Sequence, residues 1–155
     1  EYMCFTTESL AGRLDQELVV RYAQCAALMP MMQFSAAPFR ILSEENARIC
    51  LRAARLHTQF GHMFLTLAEH AGKTGEPIVR YMEYAFPNEG FETVTDQFML
   101  GERILVAPVV TKGQTARTVK LPEGRWAYLG EEVYTGGTTV TVDAPLSVLP
   151  YFEKR

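Results

Sequence analysis

The clearest hydrophobic pattern in the chain runs through its middle, from residue 44 to residue 72. Polar side chains such as Arg48, Arg52 and Gln59 separate apolar residues that recur at steps of three and four: Ile49, Ala53, Leu56, Phe60, Met63, Phe64, Leu67 and Ala71. This spacing predicts an amphipathic helix with one buried face. Ser43 is its predicted N-cap, and Gly75 followed by Pro77 predicts its end. Gly61 interrupts the run and predicts a kink.

A second helix is predicted upstream, with Asp15 as its N-cap and its end before Pro30. Its apolar side carries Leu18, Tyr22, Cys25 and Leu28 or Met29. Two short apolar runs, at residues 31–35 and 78–82, each follow one of the helices. The order helix, strand, helix, strand is typical of neighbouring strands in a parallel sheet.

The pattern changes near residue 86, where the sequence FPNEG clusters turn-forming residues. Beyond it, turns that contain Gly or Pro separate five predicted strands, at residues 104–110, 116–121, 125–128, 138–142 and 146–152. Short, regularly spaced strands of this kind predict an antiparallel β-sandwich. We therefore expect two domains, residues 1–85 and residues 86–155.

Composition narrows the classes of partner. The chain has 155 residues and a formal charge of -3, and its Lys and Arg residues form no basic stripe, so we expect no nucleic-acid partner. No apolar run reaches the roughly 20 residues needed to span a bilayer, so we expect no membrane partner. Cys4, Cys25 and Cys50 lie far apart and form no metal-binding pair, which predicts buried thiols and no metal site. No cofactor is predicted.

Three motifs in the second half resemble glycoside hydrolase family 31. Residues 96–109 read DQFMLGERILVAPV, similar to the family pattern D-Q-F-x-x-G-x-x-x-L-V-A-P-V. Residues 121–126 read LPEGRW, similar to its L-P-x-G-x-W, and an A-P-L with a P-x-F ending follows at residues 144–152. In the first half, residues 15–22 (DQELVVRY) resemble the helix after the family's acid/base turn. Residues 75–80 (GEPIVR) resemble the entry to its eighth barrel strand.

The resemblance implies a fold of two parts, α/β followed by all-β. Residues 1–85 would form the last part of a (β/α)8 catalytic barrel, and residues 86–155 would form the proximal C-terminal antiparallel β-sandwich. Cutting such a barrel would expose strand edges near Met31 and Ile78 and the apolar inner face of Phe34, Ile78 and Met82. We therefore expect that the chain can self-associate through exposed barrel edges.

The resemblance also implies a chemistry. Family 31 enzymes are retaining hydrolases of α-linked sugars, in which one carboxylate is the nucleophile and a second is the acid/base. Both would precede residue 1, so we expect no catalytic residue in this chain and no activity of the chain alone. Its expected partner is an α-linked oligosaccharide or glycoside bound by the full-length enzyme.

Two residues are candidates for substrate binding. Where the family typically has an R-x-H pair after barrel strand seven, this chain has Gln33-Phe34-Ser35. The carboxyl ends of barrel strands face the active site, so Gln33 and Ser35 are placed to bond sugar hydroxyls. Packing against the barrel wall is the alternative for both, and the missing His leaves the common α-glucosidase specificity unsupported.

Other polar residues have structural interpretations. His57, His62 and His70 are spaced by five and eight residues, which does not place two imidazoles one above the other on a helix. Asp96 and Trp126 lie in the part of the family that packs beneath the barrel, and we expect both to be structural.

Two other functions remain open. One is a non-catalytic carbohydrate-binding β-sandwich, with Trp126, Tyr128, Tyr134 and Tyr151 as stacking platforms. The other is a β-sandwich that only supports a neighbouring domain. Fold alone does not decide among these functions.

Overall fold

A computed structural model describes residues 14–155 of the chain. It contains three long helices, α1 (Gln16–Ala27), α3 (Glu44–Gln59) and α4 (Gly61–Thr74), and two single turns, α2 (Pro38–Ile41) and α5 (Met82–Ala85). Eight strands accompany them: β1 (Val79–Tyr81), β2 (Phe98–Leu100), β3 (Ile104–Val106), β4 (Ala116–Leu121), β5 (Arg125–Tyr128), β6 (Glu132–Thr135), β7 (Thr138–Asp143) and β8 (Tyr151–Lys154).

Local sequence signals set the ends of the helices. Asp15 caps α1, its Oδ1 accepting from the backbone N–H of Leu18 at 3.2 Å. Ser43 caps α3 in the same way, through the N–H of Asn46. Gly75 ends α4 in the left-handed conformation that glycine adopts without strain. The predicted interruption is also confirmed, because α3 ends at Gln59 and a new helix begins at Gly61.

The strands form two antiparallel sheets. Six of them make one sheet in the order β1-β2-β3-β8-β5-β6, and β4 pairs with β7 to make the other. The helices cover one face of the larger sheet and the two-stranded sheet lies on its other face, as the two apolar cores show. The antiparallel β-domain predicted from the sequence is confirmed.

Each face of the central sheet has its own core. The core between helices and sheet is built from Val20, Ala23, Ala27, Leu28, Ile49, Cys50, Ala53, Phe64, Leu100, Ile104, Val106 and Leu149. The core between the sheets is built from Met82, Phe91, Met99, Leu105, Ala107, Val119, Leu121, Trp126, Val142 and Phe152. Neighbouring residues of β2 and β3 alternate between the two cores, as the two-residue period of a strand requires. A strand buried on both faces explains the unbroken apolar run at residues 104–107.

The predicted parallel strands are not found among residues 14–155. Residues 31–35 are irregular, because a strand needs a neighbour for its ladder and no described strand runs beside them. Residues 79–81 do form a strand, but it pairs antiparallel with β2, Arg80 facing Met99. Met82 is fully buried between the sheets, so the prediction that it lines an exposed barrel face was wrong. Phe34, which was predicted to lie on the same face, is 37% exposed.

The strand predictions in the second half were more accurate. β4 and β5 have the predicted limits, while β3 ends at Val106, and the predicted strand at 146–152 is a loop followed by β8. The sequence did not predict β2 or β6. The division at residue 85 stays a prediction, and the strands on its two sides, β1 and β2, are hydrogen-bonded neighbours.

Candidate functional site

The two predicted substrate-binding residues lie in one exposed segment. Gln33 and Ser35 belong to residues 31–37, which connect α1 to α2, and both side chains are exposed to solvent. The segment begins after Pro30 and ends at Pro38, the first residue of α2, where the fixed φ of proline suits the start of a helix. The structure therefore leaves both residues exposed on one short segment, beside the exposed apolar side chains of Met31 and Phe34.

The connection between α1 and the β-domain is built around one buried cation. Arg21 is 8% exposed, and its guanidinium donates to four backbone carbonyls. Nη1 donates to Pro145 O at 3.2 Å and Val148 O at 3.1 Å. Nη2 donates to Gln114 O at 3.0 Å and Ala144 O at 2.9 Å. These carbonyls belong to the loops before β4 and before β8, so α1 holds both loops.

Neighbouring side chains of α1 extend this contact. Gln24 lies one turn after Arg21, accepts from its Nη1 at 3.2 Å and donates to Leu146 O at 2.7 Å. At the start of the helix, Lys112 pairs with Asp15 at 2.6 Å and the N–H of Gly113 donates to Glu17 at 2.8 Å. One face of the helix thus binds the backbone of two loops more than 90 positions away in sequence.

Burial changes the electrostatics of Arg21. Loss of water lowers the pKa of its guanidinium, and the charge of Glu17 acts in the opposite direction. The group stays charged because an arginine in a protein does not lose its proton. The only signal for this contact in the sequence is the spacing of Arg21 and Gln24, which lie three residues apart and therefore on one face of the helix.

Among the remaining candidates, His57, Asp96 and Trp126 have structural contacts, as expected. The Nδ1 atom of His57 lies 3.1 Å from Ala27 O, and its ring packs on Phe64 at 4.8 Å between centroids. Asp96 pairs with Arg117 at 2.6 Å. Trp126 is fully buried and its Nε1 donates to Pro122 O at 2.8 Å, so it is not the surface platform that a carbohydrate-binding module would need.

Within residues 14–155 there is no group of three or more His, Cys, Asp or Glu side chains arranged to hold a metal ion. The helices between those limits are too short or too polar to cross a membrane. Burial raises the pKa of the Cys25 and Cys50 thiols, which favours their neutral form.

A comparison with protein families decides the identity of the chain. Residues 75–155, just over half of its length, match the model of the glycosyl hydrolase family 31 C-terminal domain. The chain belongs to glycoside hydrolase family 31. The family 31 motifs at residues 96–109, 121–126 and 144–152 all lie inside the matched region.

Individual family 31 relatives match over more of the chain. The myogenesis-regulating glycosidase of Mus musculus is 35% identical over 147 residues, which is 91% of this chain and 20% of that protein. Alpha-glucosidase 2 of Bacillus thermoamyloliquefaciens is 32% identical over 94% of this chain and 19% of its own length. The chain therefore spans about a fifth of the length of these relatives.

The fold agrees with a solved family 31 enzyme. A dextranase from Flavobacterium johnsoniae, solved as a variant with isomaltotriose bound, superimposes with a TM-score of 0.81 at 33% identity. The superposition covers 90% of this chain and 18% of the dextranase chain. The helices and the β-domain together thus match part of a larger family 31 protein.

Proposed function

We propose that this chain is part of a retaining glycoside hydrolase that acts on α-linked sugars. Family membership supports the reaction class, and the relatives include proteins named as an alpha-glucosidase and a dextranase. In this proposal the substrate is an α-linked oligosaccharide or glycoside. Gln33 and Ser35 would bond its hydroxyls from the exposed segment 31–37, where a neutral amide and a hydroxyl offer both donors and acceptors.

The chain alone is proposed to be inactive. A retaining mechanism needs two carboxyl groups about 5 to 5.5 Å apart beside the bound sugar. Residues 18–43, which include the proposed sugar-binding segment, contain no Asp or Glu. The resemblance of residues 15–22 to the helix after the family's acid/base turn carries the proposal, because it assigns both carboxylates to segments before residue 1. The nucleophile and the acid/base would come from preceding parts of a longer polypeptide, in which residues 1–85 complete a (β/α)8 barrel.

The proposed inactivity is directly measurable. The purified 155-residue chain, incubated with 4-nitrophenyl α-glucoside or α-xyloside, is expected to release nitrophenol no faster than buffer. A longer polypeptide that includes the remaining barrel is expected to turn over at least one α-glycoside. Turnover by the short chain, retained after repeated purification, would mean that a complete carboxylate pair lies within it.

The role of Ser35 is tested in the active, longer protein. Ser35→Ala is expected to lower kcat/KM by about 1 to 2 kcal/mol in transition-state free energy, because one hydrogen bond to the sugar is lost. Thr93→Ala, which removes another exposed hydroxyl, is the matched control and should leave kcat/KM unchanged. If both variants behave like the parent on every substrate, Ser35 does not contact sugar.

A second function, support of a neighbouring domain, is favoured by the contacts of Arg21. Through a buried cation, α1 fixes the positions of two β-domain loops, and this structural role needs no ligand. The two proposals make different predictions for substitutions of Gln33 and Ser35. If the chain only supports a neighbouring domain, replacing either side chain leaves kcat/KM unchanged.

Self-association stays a prediction, but the strand edges that the structure exposes differ from those predicted. The edges expected were those of parallel barrel strands, whereas the edge strands of the described central sheet are β1 and β6. Tyr81 on β1 is 76% exposed, and unpaired backbone groups beside exposed aromatic side chains favour pairing with another strand.

A further inference from the structure

A groove lies where α1, α3 and the segment before β8 meet. Its volume is about 370 Å³, within the range of small-molecule sites. The helices α1 and α3 line it with Gln24, Ala27, Ile49, Arg52, Ala53 and Arg55, and further residues come from the end of α3 and from the β-domain. Ala27, Ile49, Ala53 and Leu149 are buried, so the floor of the groove is apolar.

The rim of the groove carries positive charge. Arg52 and Arg55 are three residues apart on α3, so their side chains share one side of the helix. Both are exposed, and neither forms an ion pair with a carboxylate inside residues 14–155. By contrast, Arg48 on the same helix is paired with Glu44. No Asp or Glu is among the residues that line the groove.

Uncharged polar groups complete the wall. Tyr151 packs its ring edge-on against Phe60 at 5.9 Å, and burial raises the pKa of its phenol, so the hydroxyl remains protonated at neutral pH. Gln59 and Ser147 are exposed at the rim. Gln24 is already committed, since its amide bonds Arg21 and Leu146.

We propose that this groove binds a small organic anion with an apolar body. Its carboxylate or sulfonate would lie between Arg52 and Arg55, where guanidinium groups offer strong charge-assisted hydrogen bonds. The apolar body would lie on Ala53 and Leu149, which the groove leaves as its floor. Two cations without an opposing carboxylate, above an apolar floor, favour an anion with an apolar body. Gln33 and Ser35 are not among the residues that line the groove, so the groove is a site separate from their segment.

The test uses the full-length protein and 4-phenylbutyrate as the probe. Titration calorimetry is expected to show one saturable site, and 4-phenyl-1-butanol, which has the same body without charge, is expected to bind more weakly. The double variant Arg52→Gln/Arg55→Gln should weaken phenylbutyrate binding by about tenfold or more. Arg40→Gln/Arg48→Gln, which removes the same charge from exposed positions outside the groove lining, should bind like the parent.

Several results would overturn the proposal. One is the absence of saturable phenylbutyrate binding below about 10 mM. Another is an equal loss of binding in both double variants. A third is a crystal structure that shows the probe elsewhere, or the groove covered by another part of the polypeptide. If the Arg52/Arg55 variant does not fold, Ser147→Glu provides a second test. It places a repelling charge at the exposed rim and should also weaken binding, and unchanged binding would contradict the site. Turnover of α-glycosides, followed in parallel, reports on the hydrolase proposal independently.

Discussion

Replacing Arg21 by Ala is expected to lower the free energy of unfolding by about 3 to 5 kcal/mol. The substitution removes the guanidinium donors to the carbonyls of Gln114, Ala144, Pro145 and Val148 in a site with little access to water. Of these carbonyls, that of Pro145 keeps a second donor, the backbone N–H of Val148. Each unsatisfied buried polar group costs about 1 to 3 kcal/mol, and partial exposure of the loops reduces the sum. Urea unfolding of the purified chain, followed by circular dichroism, measures the difference.

Three comparison variants separate the possible causes. Arg21→Met keeps most of the aliphatic packing and loses the donors, so it should be nearly as destabilised as the Ala variant. Arg21→Lys keeps the charge but not the planar set of donors, and it should recover only part of the loss. Arg40→Ala removes an exposed arginine and should change stability by less than about 0.5 kcal/mol.

The location of the effect can be checked as well. Hydrogen exchange in the Arg21→Met variant should accelerate first in the loops at residues 112–115 and 144–148, because these are the segments that the guanidinium holds. A loss of stability below about 1 kcal/mol, or accelerated exchange spread evenly over the chain, would show that the four bonds do not hold α1 to the β-domain.

Trp126→Ala is expected to cost about 3 to 5 kcal/mol. The indole is fully buried between the two sheets, with Phe86 edge-on at 6.4 Å, and truncation would leave a large cavity there. Trp126→Phe keeps part of the ring and loses the bond to Pro122 O, so a smaller cost of about 1 to 2 kcal/mol is expected.

An exposed aromatic residue provides the control for Trp126. Tyr81→Ala on β1 removes a ring that is 76% exposed and should change the midpoint of unfolding little. If Trp126→Ala unfolds at the same denaturant concentration as the parent but loses binding to α-linked oligosaccharides, the indole is a sugar platform and not a core residue.

The sequence predicted the local features of this fold well. Asp15, Ser43 and Gly75 were assigned as helix ends from their residue types, and each makes the expected cap. Such signals depend on neighbours within four residues, so they are readable without a tertiary structure. β4 and β5 were placed correctly for the same reason, because clear turns bound them.

The candidate site was predicted only in part. Gln33 and Ser35 were selected through the family resemblance, and the structure places them together on an exposed segment without testing their role. The cationic groove was not predicted. Arg52 and Arg55 are part of an ordinary polar helix face in the sequence, and the opposite wall of the groove comes from residues about 80 to 100 positions further along.

The sequence by itself determined the family, the helix ends and the buried face of α3, because each is written in motifs or in spacings of a few residues. The buried face of α1 was predicted wrongly, because Leu18 and Tyr22 are exposed and Val20 and Ala23 are buried instead. The tertiary structure decided which strand β1 pairs with and which carbonyls Arg21 binds. Both depend on contacts between distant segments, 124 positions apart for Arg21 and Pro145, and periodicity carries no information about such partners. A strand of three residues has several sterically acceptable neighbours, and only the packing of the whole sheet between two apolar cores selects one of them.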